Sequence, residues 1–441
     1  MKRFRIITLG CRVNQCESDS IAARLERDGW HQNEIRGSAE LLIVNTCAVT
    51  GKAAMQSRQS IRQARRLNPD ARIVVTGCYA ELEPDTIRDA TGEREIVGHV
   101  NKFRIPELIS EHTEPGTLAL TSEPPSDPEI SFAPIHLIPG SSRSRPVLKI
   151  QDGCNAFCSY CIVPHARGQS RSMPMRDALE NLRLLDESGY HEVVLSGIHL
   201  GCYGLDLNPP TTLLQLLEQI ETDTDISRIR LSSIEPKELT DEIIDRVSRS
   251  KRFCRHFHIP LQSGDNDILL RMKRPYTAEH FSARVQEIRE RIPDAAIGAD
   301  VLIGFPGETE KAFESTIRLV EKLPLTYLHV FPFSPRAGTP AAKMPDPVQP
   351  QIQKERARRI RKLGDAKRSE FYHSAINKPL EVLIEEKRDP ETGWLKGTSS
   401  NYITTLIEGP DALKNRLVSA IPDAISDHGH LLARIIPPDI A

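Results

Sequence analysis

The most restrictive feature of this sequence is a regular alternation of strand-like and helix-like segments between residues 147 and 340. Short apolar runs typical of buried parallel strands are separated by segments with helical periodicity. Six such strand–helix repeats predict a parallel sheet that curls into a full or partial barrel. The candidate strands are 147–151, 193–197, 229–234, 257–262, 297–303 and 327–333.

Residues 1–112 predict a separate α/β domain in front of this repeat. Its apolar runs look like buried strands, and helix-like segments lie between them, including 18–28 and 52–67. This order favours a Rossmann-like parallel sheet. The candidate strands are 4–9, 41–45 and 72–76.

The rest of the chain predicts a linker and a third domain. Residues 113–146 are rich in proline, serine, glutamate and threonine, a composition that suits an extended linker. A long basic helix is expected at 349–376. Residues 377–441 contain short strand-like runs broken by glycine, proline and aspartate, which favour a small β-barrel. We therefore expect an α/β chain whose central domain, a partial (β/α) barrel, spans 147–376.

The chain contains nine cysteines, and nothing else in it indicates an oxidising compartment. Its N-terminus lacks the apolar stretch and cleavage site of a secretory signal, and no apolar run of about 18 residues indicates a membrane span. We expect a cytoplasmic protein with no membrane partner, whose cysteines bind metal or act in catalysis. The net charge of −2 gives no overall attraction to nucleic acid, so any such contact would depend on local basic patches.

Cys154, Cys158 and Cys161 have the spacing C-x3-C-x2-C and directly follow the first predicted barrel strand. Such barrels place their active sites at the carboxyl ends of the strands. Thiolates are the ligands of iron–sulfur clusters, and three of them leave one iron of a 4Fe–4S cluster without a protein ligand. The alternatives are unrelated thiols or a structural zinc site, which needs a fourth ligand such as His165.

Three further cysteines occupy equivalent positions in the first domain. Cys11, Cys47 and Cys78 each come just after a predicted parallel strand. Since ligands bind at the carboxyl edge of such sheets, we expect the three thiols to converge on a second three-cysteine iron–sulfur site. The alternative is independent burial of three cysteines. The remaining cysteines, which lack such placement, are Cys16, Cys202 and Cys254.

Several sequence blocks around these cysteines resemble the radical-SAM methylthiotransferase family over nearly the whole chain. The blocks are LGCRVNQCESD, IVNTCAVT, VVTGCYAELEP, KIQDGCNAFCSYCIVPHARG, HIPLQSGDNDILLRMKRPYT and DVLIGFPGET. The resemblance implies a UPF0004-type first domain, a radical-SAM barrel and a TRAM-like domain at 377–441 that binds RNA. It also implies two 4Fe–4S clusters, S-adenosylmethionine, an electron donor of the flavodoxin or ferredoxin type, and a sulfur donor.

Within that family, NTCAVT and the KIQDGCNAFCSYCIVPHARG block are most similar to the branch that acts on N6-threonylcarbamoyladenosine at position 37 of tRNA. The resemblance implies addition of a methylthio group to C2 of this adenine, an unactivated position that suits radical chemistry. Isopentenyladenosine in tRNA and an aspartate of a ribosomal protein are alternative targets. The alternative to an enzyme is a non-catalytic iron–sulfur protein that binds RNA or senses redox state. His165 and Cys16 depart from the pattern of the branch.

The resemblance also suggests residues that contact the cofactor. It implies that Tyr160 lies near the adenine of S-adenosylmethionine and that Gly197 lies where the methionine amino group is bound, with simple packing as the alternative for Tyr160. Glu235, Gln262 and Asp300 lie on or beside predicted strand ends of the barrel, so they are candidates for contacts to cofactor or substrate. A role in capping or bridging strands is the alternative for Gln262 and Asp300.

Local basic runs are candidate tRNA contacts, with solvated helix faces as the alternative. Arg62 and Arg66 are four residues apart and share one helix face. Phosphate contacts would make binding strongly salt-dependent. The runs comprise Arg58, Arg62, Arg65 and Arg66; Arg167 and Arg171; Lys273 and Arg274; and residues 354–368.

Overall fold

The structure, a computed structural model, describes residues 2–33, 39–111 and 143–436. Most of the predicted linker at 113–146 therefore lies outside the described residues. Contacts divide the chain into two compact units. In the first unit, the segments 149–173 and 334–342 pack with the N-terminal residues. The second unit holds the remaining described residues.

The described strands and helices alternate through most of the chain. The strands are β1 (Arg3–Thr8), β2 (His31–Gln32), β3 (Leu41–Thr46), β4 (Arg72–Gly77), β5 (Val147–Lys149), β6 (Gln151–Asp152), β7 (Arg171–Ser172), β8 (Glu192–Ser196), β9 (Arg228–Leu231), β10 (His256–Gln262), β11 (Ala296–Ile303), β12 (Tyr327–Pro332), β13 (Leu380–Arg388), β14 (Leu395–Ser399), β15 (Thr404–Ile407), β16 (Leu417–Ile425) and β17 (Leu431–Ile435). The helices are α1 (Arg12–Arg27), α2 (Gly51–Leu67), α3 (Cys78–Leu82), α4 (Pro84–Thr91), α5 (Ile105–Glu111), α6 (Val163–Arg167), α7 (Met175–Glu187), α8 (Leu213–Asp223), α9 (Asp241–Arg249), α10 (Asn266–Arg271), α11 (Ala278–Arg291), α12 (Glu310–Lys322) and α13 (Pro350–His373).

The first unit is built on a parallel sheet in the order β2-β1-β3-β4. Alternate side chains of β3 enter two separate cores. Leu42 and Val44 share a core with the apolar face of α2, whereas Leu41 and Ile43 share one with α1 and α5. A strand covered on both faces needs apolar residues at every position, which explains its unbroken apolar run. The predicted Rossmann-like sheet is confirmed.

The strand–helix repeat of the second unit forms two three-stranded sheets, β5-β8-β9 and β10-β11-β12. The pairs β8–β9, β10–β11 and β11–β12 are parallel, as expected for a partial barrel. The third predicted run, 229–234, is a strand only as far as Leu231. Beyond that point the chain changes partner, because the N–H of Ser232 donates to Leu195 of β8 and the N–H of Ile234 donates to His258 of β10. Isolated parallel bridges, Ile229 with Phe253 and Ser233 with His258, link the two sheets here, so together they form the predicted partial barrel.

The long basic helix α13 is a charged surface helix. Arg356 and Arg359 of this helix form ion pairs with Glu310, the first residue of α12. No helix among the described residues has both the length and the apolar character needed to cross a bilayer.

Strands β13 to β17 form a closed barrel in the order β13-β14-β15-β17-β16. The strand-like runs of this segment, LEVLIEE, NYITTLIEG and HLLARII, correspond to β13, β15 and β17, so the predicted barrel is confirmed. Two strands were missed because single residues interrupt their apolar pattern. Gly397 lies within β14, where an added Cβ would come 2.4 Å from Cγ1 of Val382. Pro422 lies in β16 at a shift of register against β17.

A substitution at Gly77, with Gly92 as the control position, tests how closely the end of β4 approaches the end of β3. Both have positive φ, +94° and +76°. A Cβ at Gly77 would lie 2.4 Å from Oδ1 of Asn45 and 2.5 Å from the carbonyl oxygen of Thr46, whereas at Gly92 it meets no described atom within 4 Å. We expect Gly92→Ala to lower the free energy of unfolding by about 1 kcal/mol, the cost of left-handed backbone. Gly77→Ala should lower it by roughly 3 kcal/mol or more, because the strand ends must also separate.

Urea denaturation of the two variants measures this difference. Equal losses in Gly77→Ala and Gly92→Ala would contradict the close approach of the two strand ends.

Candidate metal centre

The carboxyl ends of β1, β3 and β4 bring Cys11, Cys47 and Cys78 together. Cys11 directly precedes α1, Cys47 follows β3, and Cys78 is the first residue of α3. The chain segments approach closely here, because a Cβ added at Gly10 would lie 2.8 Å from the sulfur of Cys47. Cys11 is exposed, whereas the other two cysteines are buried. The three thiols are thus neighbours at one edge of the sheet, with one of them open to solvent.

The environment of these thiols holds two of them protonated in the absence of metal. Burial raises the pKa of Cys47 to about 11, and the nearby Cys78 and Cys11 contribute to this rise. Burial also raises the pKa of Cys78, although Arg167 and Lys102 oppose this effect. Metal binding requires thiolates, so it must displace these protons. Three soft sulfur donors with one open side fit an iron–sulfur cluster.

Cys154, Cys158 and Cys161 lie in a loop of the same unit, between β6 and α6. The loop closes tightly on itself. Gly153 has φ +70°, and a Cβ there would lie 1.9 Å from the carbonyl oxygen of Gln169, so only glycine permits this closure. The chain thereby presents a second set of three thiols from one compact loop.

Two contacts shape this loop. The N–H of Ala156 donates to Sγ of Cys154 at 3.4 Å, and such outer hydrogen bonds tune sulfur ligands. His165, the residue considered as a fourth zinc ligand, is exposed, and its ring packs edge-on against Phe157 with centroids 6.0 Å apart.

A buried ion network joins the segments that carry the two thiol sets. The guanidinium of Arg167 donates to Glu17 at 2.9 Å and to Asp152 at 2.8 Å. Arg167 ends the helix that follows the cysteine loop, and Asp152 lies two residues before Cys154. Glu17 lies in α1, which begins directly after Cys11. These ion pairs therefore hold the cysteine loop against α1.

Two lysines complete this network. Nζ of Lys102 lies 2.5 Å from Glu17, and Nζ of Lys149 lies 2.9 Å from Asp152. Burial would raise the pKa of both carboxyls, but the surrounding cations hold the pKa of Glu17 and of Asp152 well below the usual range. Together with the arginine there are three cations for two carboxylates. The positive excess favours thiolate at the neighbouring Cys78.

His99 joins the network as a neutral ring. Its Nδ1 lies 2.9 Å from Nζ of Lys102, and its Nε2 lies 3.3 Å from Oδ2 of Asp152. Burial, with Lys102 and Arg167, lowers the pKa of His99 to about 3. A neutral ring with its proton on Nε2 satisfies both contacts, since Nδ1 then accepts from the ammonium.

The other candidate cofactor contacts are divided between the two units. Tyr160 lies, partly buried, in the cysteine loop of the first unit. In the second unit, Gly197 directly follows β8, and Gln262 ends β10 with φ +63°. Asp300 lies in the middle of β11 and not at its end, because the strand continues to Ile303.

Glu235 has a structural partner. Its carboxylate pairs with Arg274, whose Nε donates to the hydroxyl of Tyr276 at 3.0 Å. That hydroxyl donates to the carbonyl of Pro260 in β10 at 2.7 Å. Burial raises the pKa of Glu235, and Arg274 opposes this shift. Glu235 thus links the segment after β9 to β10.

The expectation of tRNA phosphate contacts is wrong for several basic residues. Arg167 and Arg274 are buried in the ion pairs described above, so neither guanidinium can reach a phosphate. Arg356 is also buried and pairs with Glu308. Arg65 also pairs with Glu93 at 2.8 Å, but its side chain is 40% exposed, so a phosphate contact of Arg65 stays a prediction. The sequence shows the charge of the three buried arginines and not their burial.

Family models match two parts of the chain. Residues 3–98 match the family described as "Uncharacterized protein family UPF0004", and residues 148–320 match the "Radical SAM superfamily". The first match covers Cys11, Cys47 and Cys78, and the second covers the C-x3-C-x2-C loop.

Several characterised proteins are similar over most of the chain. "Threonylcarbamoyladenosine tRNA methylthiotransferase MtaB" of Bacillus subtilis is 36% identical over 93% of this chain and 91% of its own length. The protein of that name from Rickettsia prowazekii is 37% identical over 88% and 89%. "tRNA-2-methylthio-N(6)-dimethylallyladenosine synthase" of Pelotomaculum thermopropionicum is 32% identical over 95% and 94%.

A solved structure supports the fold. The radical S-adenosylmethionine methyltransferase TsrM from Kitasatospora setae superposes with a TM-score of 0.56 over 78% of this chain and 77% of its own. Its sequence identity is 17%, so the likeness concerns the fold alone.

Arg167→Met tests the ion network. The change leaves Glu17 and Asp152 buried with less compensation, and breaking such a network costs about 3–5 kcal/mol. Arg171→Met is the matched control, since its side chain is one-third exposed and its guanidinium lies 3.8 Å from Asp152. We expect the control to lose less than about 1 kcal/mol. Urea unfolding of the iron-free full chain measures both losses, and similar values would contradict the importance of Arg167.

The depressed pKa of His99 predicts a loss of stability in mild acid. The folded ring titrates at about 3, whereas an unfolded histidine titrates near pH 6.5. Between these values the unfolded chain binds one more proton, so stability falls as the pH falls, by up to about 1.4 kcal/mol per unit. The two carboxylates add a further loss only below about pH 4.5, because their folded pKa values are depressed.

His99→Gln should remove the first of these losses. Urea midpoints of both proteins at pH 7.5, 6.5 and 5.5, about the range in which an unfolded histidine titrates, give the comparison. A parallel fall in the two proteins would show that His99 is not the group responsible.

Proposed function

Since this chain belongs to the radical-SAM tRNA methylthiotransferase family, we propose that it adds a methylthio group to C2 of N6-threonylcarbamoyladenosine at position 37 of tRNA. Two observations favour this target over isopentenyladenosine. The compared relatives named for threonylcarbamoyladenosine are more similar to the chain than those named for dimethylallyladenosine. The sequence blocks NTCAVT and KIQDGCNAFCSYCIVPHARG resemble the same branch.

The observation that carries the proposal is the presence of six thiols, in two sets of three, within one compact unit. The cofactors of this family are S-adenosylmethionine and 4Fe–4S clusters, which supply one-electron cleavage of S-adenosylmethionine and a site for sulfur. We assign one cluster to each set. The ligands are Cys154, Cys158 and Cys161 for the first, and Cys11, Cys47 and Cys78 for the second. Three ligands for each cluster leave one iron open for substrate atoms.

The neighbouring residues prepare these sites for anionic ligands. The positive excess around Arg167 compensates the negative charge of clustered thiolates. The N–H of Ala156 donates to the sulfur of Cys154, which stabilises its thiolate form. Cys11 is exposed whereas Cys47 and Cys78 are buried. The open side of this set is therefore the side at which we expect the base to approach.

The remaining assignments follow from the resemblance. Tyr160, Gly197 and Gln262 are proposed contacts to S-adenosylmethionine. Glu235 is proposed as a positioning residue, because its carboxylate is held by Arg274. The closed β-barrel is proposed to be a TRAM-like domain that binds tRNA, and the protein to be cytoplasmic. A flavodoxin- or ferredoxin-type protein is the proposed electron donor, and a separate sulfur donor is required.

Mass spectrometry of tRNA nucleosides tests the reaction. The chain is expressed in a strain that has threonylcarbamoyladenosine but no methylthiotransferase of its own. We expect the 2-methylthio form with the wild-type chain and none with Cys47→Ala or Cys158→Ala. Cys202→Ala is the matched control, since this thiol lies outside both sets, and it should retain the product.

Iron analysis of the reconstituted proteins distinguishes a failure to bind the clusters from a failure to carry out the proposed reaction. Wild type should hold about eight irons per chain and Cys47→Ala about four. If the methylthio group appears on isopentenyladenosine instead, the target is wrong and the reaction stands. Full iron content with no methylthio nucleoside would contradict the proposed reaction.

A further inference from the structure

A second group of metal-binding side chains lies in the second unit and contains no cysteine. His258 of β10, Asp300 of β11 and His329 of β12 come from three adjacent strands. Asp300 is paired with His329 in the register, and His258 is paired with Gly298, two residues before Asp300. Because side chains alternate along a strand, all three point to the same face of the sheet.

The ligand atoms of these residues are closely spaced. Oδ1 of Asp300 lies 3.1 Å from Nε2 of His258 and 3.3 Å from Nδ1 of His329. The three ligand atoms all lie within 4.8 Å of one another. Two atoms that are each about 2.1 Å from one ion are separated by about 3.0 Å at a right angle and about 3.4 Å at a tetrahedral angle. The observed spacing therefore suits two ligands of one metal ion.

The contact between His258 and Asp300 is close, but its geometry is poor for a hydrogen bond. Among the described residues, the buried Nε2 of His258 has no hydrogen-bond partner, although the carboxylate oxygen is 3.1 Å away. Nε2 of His258 and Oδ1 of Asp300 are therefore close, but they are not oriented for a hydrogen bond. Buried polar atoms are nearly always satisfied. A cation between the two atoms would satisfy both.

The opposite nitrogen of His258 is held in place. Its Nδ1 lies 2.6 Å from Oγ of Ser233. When Nδ1 carries the proton and donates it to this hydroxyl, Nε2 presents a lone pair toward Asp300. Metal-binding histidines commonly have such an outer hydrogen bond, which fixes the ring and its tautomer.

The charge of the group also suits a cation. Asp300 brings a carboxylate to the group, and the two imidazole rings offer nitrogen lone pairs, a ligand set that divalent metal ions accept. His258 is buried, whereas the side chain of His329 is 52% exposed. An ion held here would have protein ligands on one side and open positions on the other, as in sites with two histidines and one carboxylate.

We propose that His258, Asp300 and His329 bind one divalent transition-metal ion, separately from the six cysteines assigned to clusters. The ligands are nitrogen and oxygen atoms, so the site suits Mn²⁺, Fe²⁺ or Zn²⁺ and differs in kind from the thiol sets. The proposal adds a metal to the chain and does not depend on which nucleoside the enzyme modifies.

Mn²⁺ is the probe for this site because it prefers nitrogen and oxygen ligands to thiolates. Titration of the reconstituted full-length protein, with free Mn²⁺ counted by electron paramagnetic resonance, gives the number of sites and the affinity. We expect one Mn²⁺ per chain. Asp300→Asn and His329→Gln should each weaken binding at least about tenfold, and Ser233→Ala should weaken it less. Asp85→Asn, which changes an exposed carboxylate of α4, is the matched control and should leave binding unchanged.

Two further variants separate loss of the ion from loss of the fold and from binding at the cysteines. His329 is half exposed, so His329→Gln should fold even where Asp300→Asn does not. The double variant Cys47→Ala/Cys158→Ala should still bind one Mn²⁺, since the site contains no thiol. Absence of Mn²⁺ binding by wild type, or unchanged binding by His329→Gln, would overturn the proposal. Loss of binding in the double cysteine variant would assign the ion to the cysteines and also overturn it.

Discussion

The ion pairs of Arg167 with Glu17 and Asp152 are the interaction on which the first unit depends. They connect the helix after the cysteine loop to the helix after Cys11, over about 150 residues of sequence. Buried charges cost several kcal/mol each unless every partner is in place. Any other arrangement of the two segments would have to pair these charges again. We infer that the network favours the observed packing, in which both thiol sets lie in one unit.

The same network acts against the effect of burial at the thiols. A pocket that excludes water favours neutral cysteines, yet metal ligands must be thiolates. At Cys47 burial dominates and holds its pKa at about 11. At Cys78 the buried cations Arg167 and Lys102 act against burial. The excess of positive charge would be unfavourable in an apolar core, and it becomes favourable when thiolates bind a cluster beside it.

The strand–helix alternation and both cysteine sets could be predicted from the sequence, because each depends on local periodicity and on positions just after strands. The sequence could not predict which chain segments belong to which compact unit. Residues 149–173 follow a barrel strand in sequence but pack with the N-terminal sheet, and only long-range contacts decide this. The sequence predicts Arg167 and Arg274 as tRNA contacts because it shows their charge, but not their burial. One sequence feature did indicate the buried network around Arg167. Lys149 and Asp152 are charged residues within an otherwise buried strand-like run.

The two proposed kinds of metal site place different demands on the chain. The thiol sets draw cysteines from loops and strand ends, and sequence spacing reveals them. The His258, Asp300 and His329 group is built in the middle of three parallel strands, where only register brings the side chains together. Such a group has no local motif, so it becomes visible only when the strands are paired. The ligand chemistry of the two kinds of site also differs, because soft thiolates suit iron–sulfur clusters whereas nitrogen and oxygen ligands suit a harder ion such as Mn²⁺.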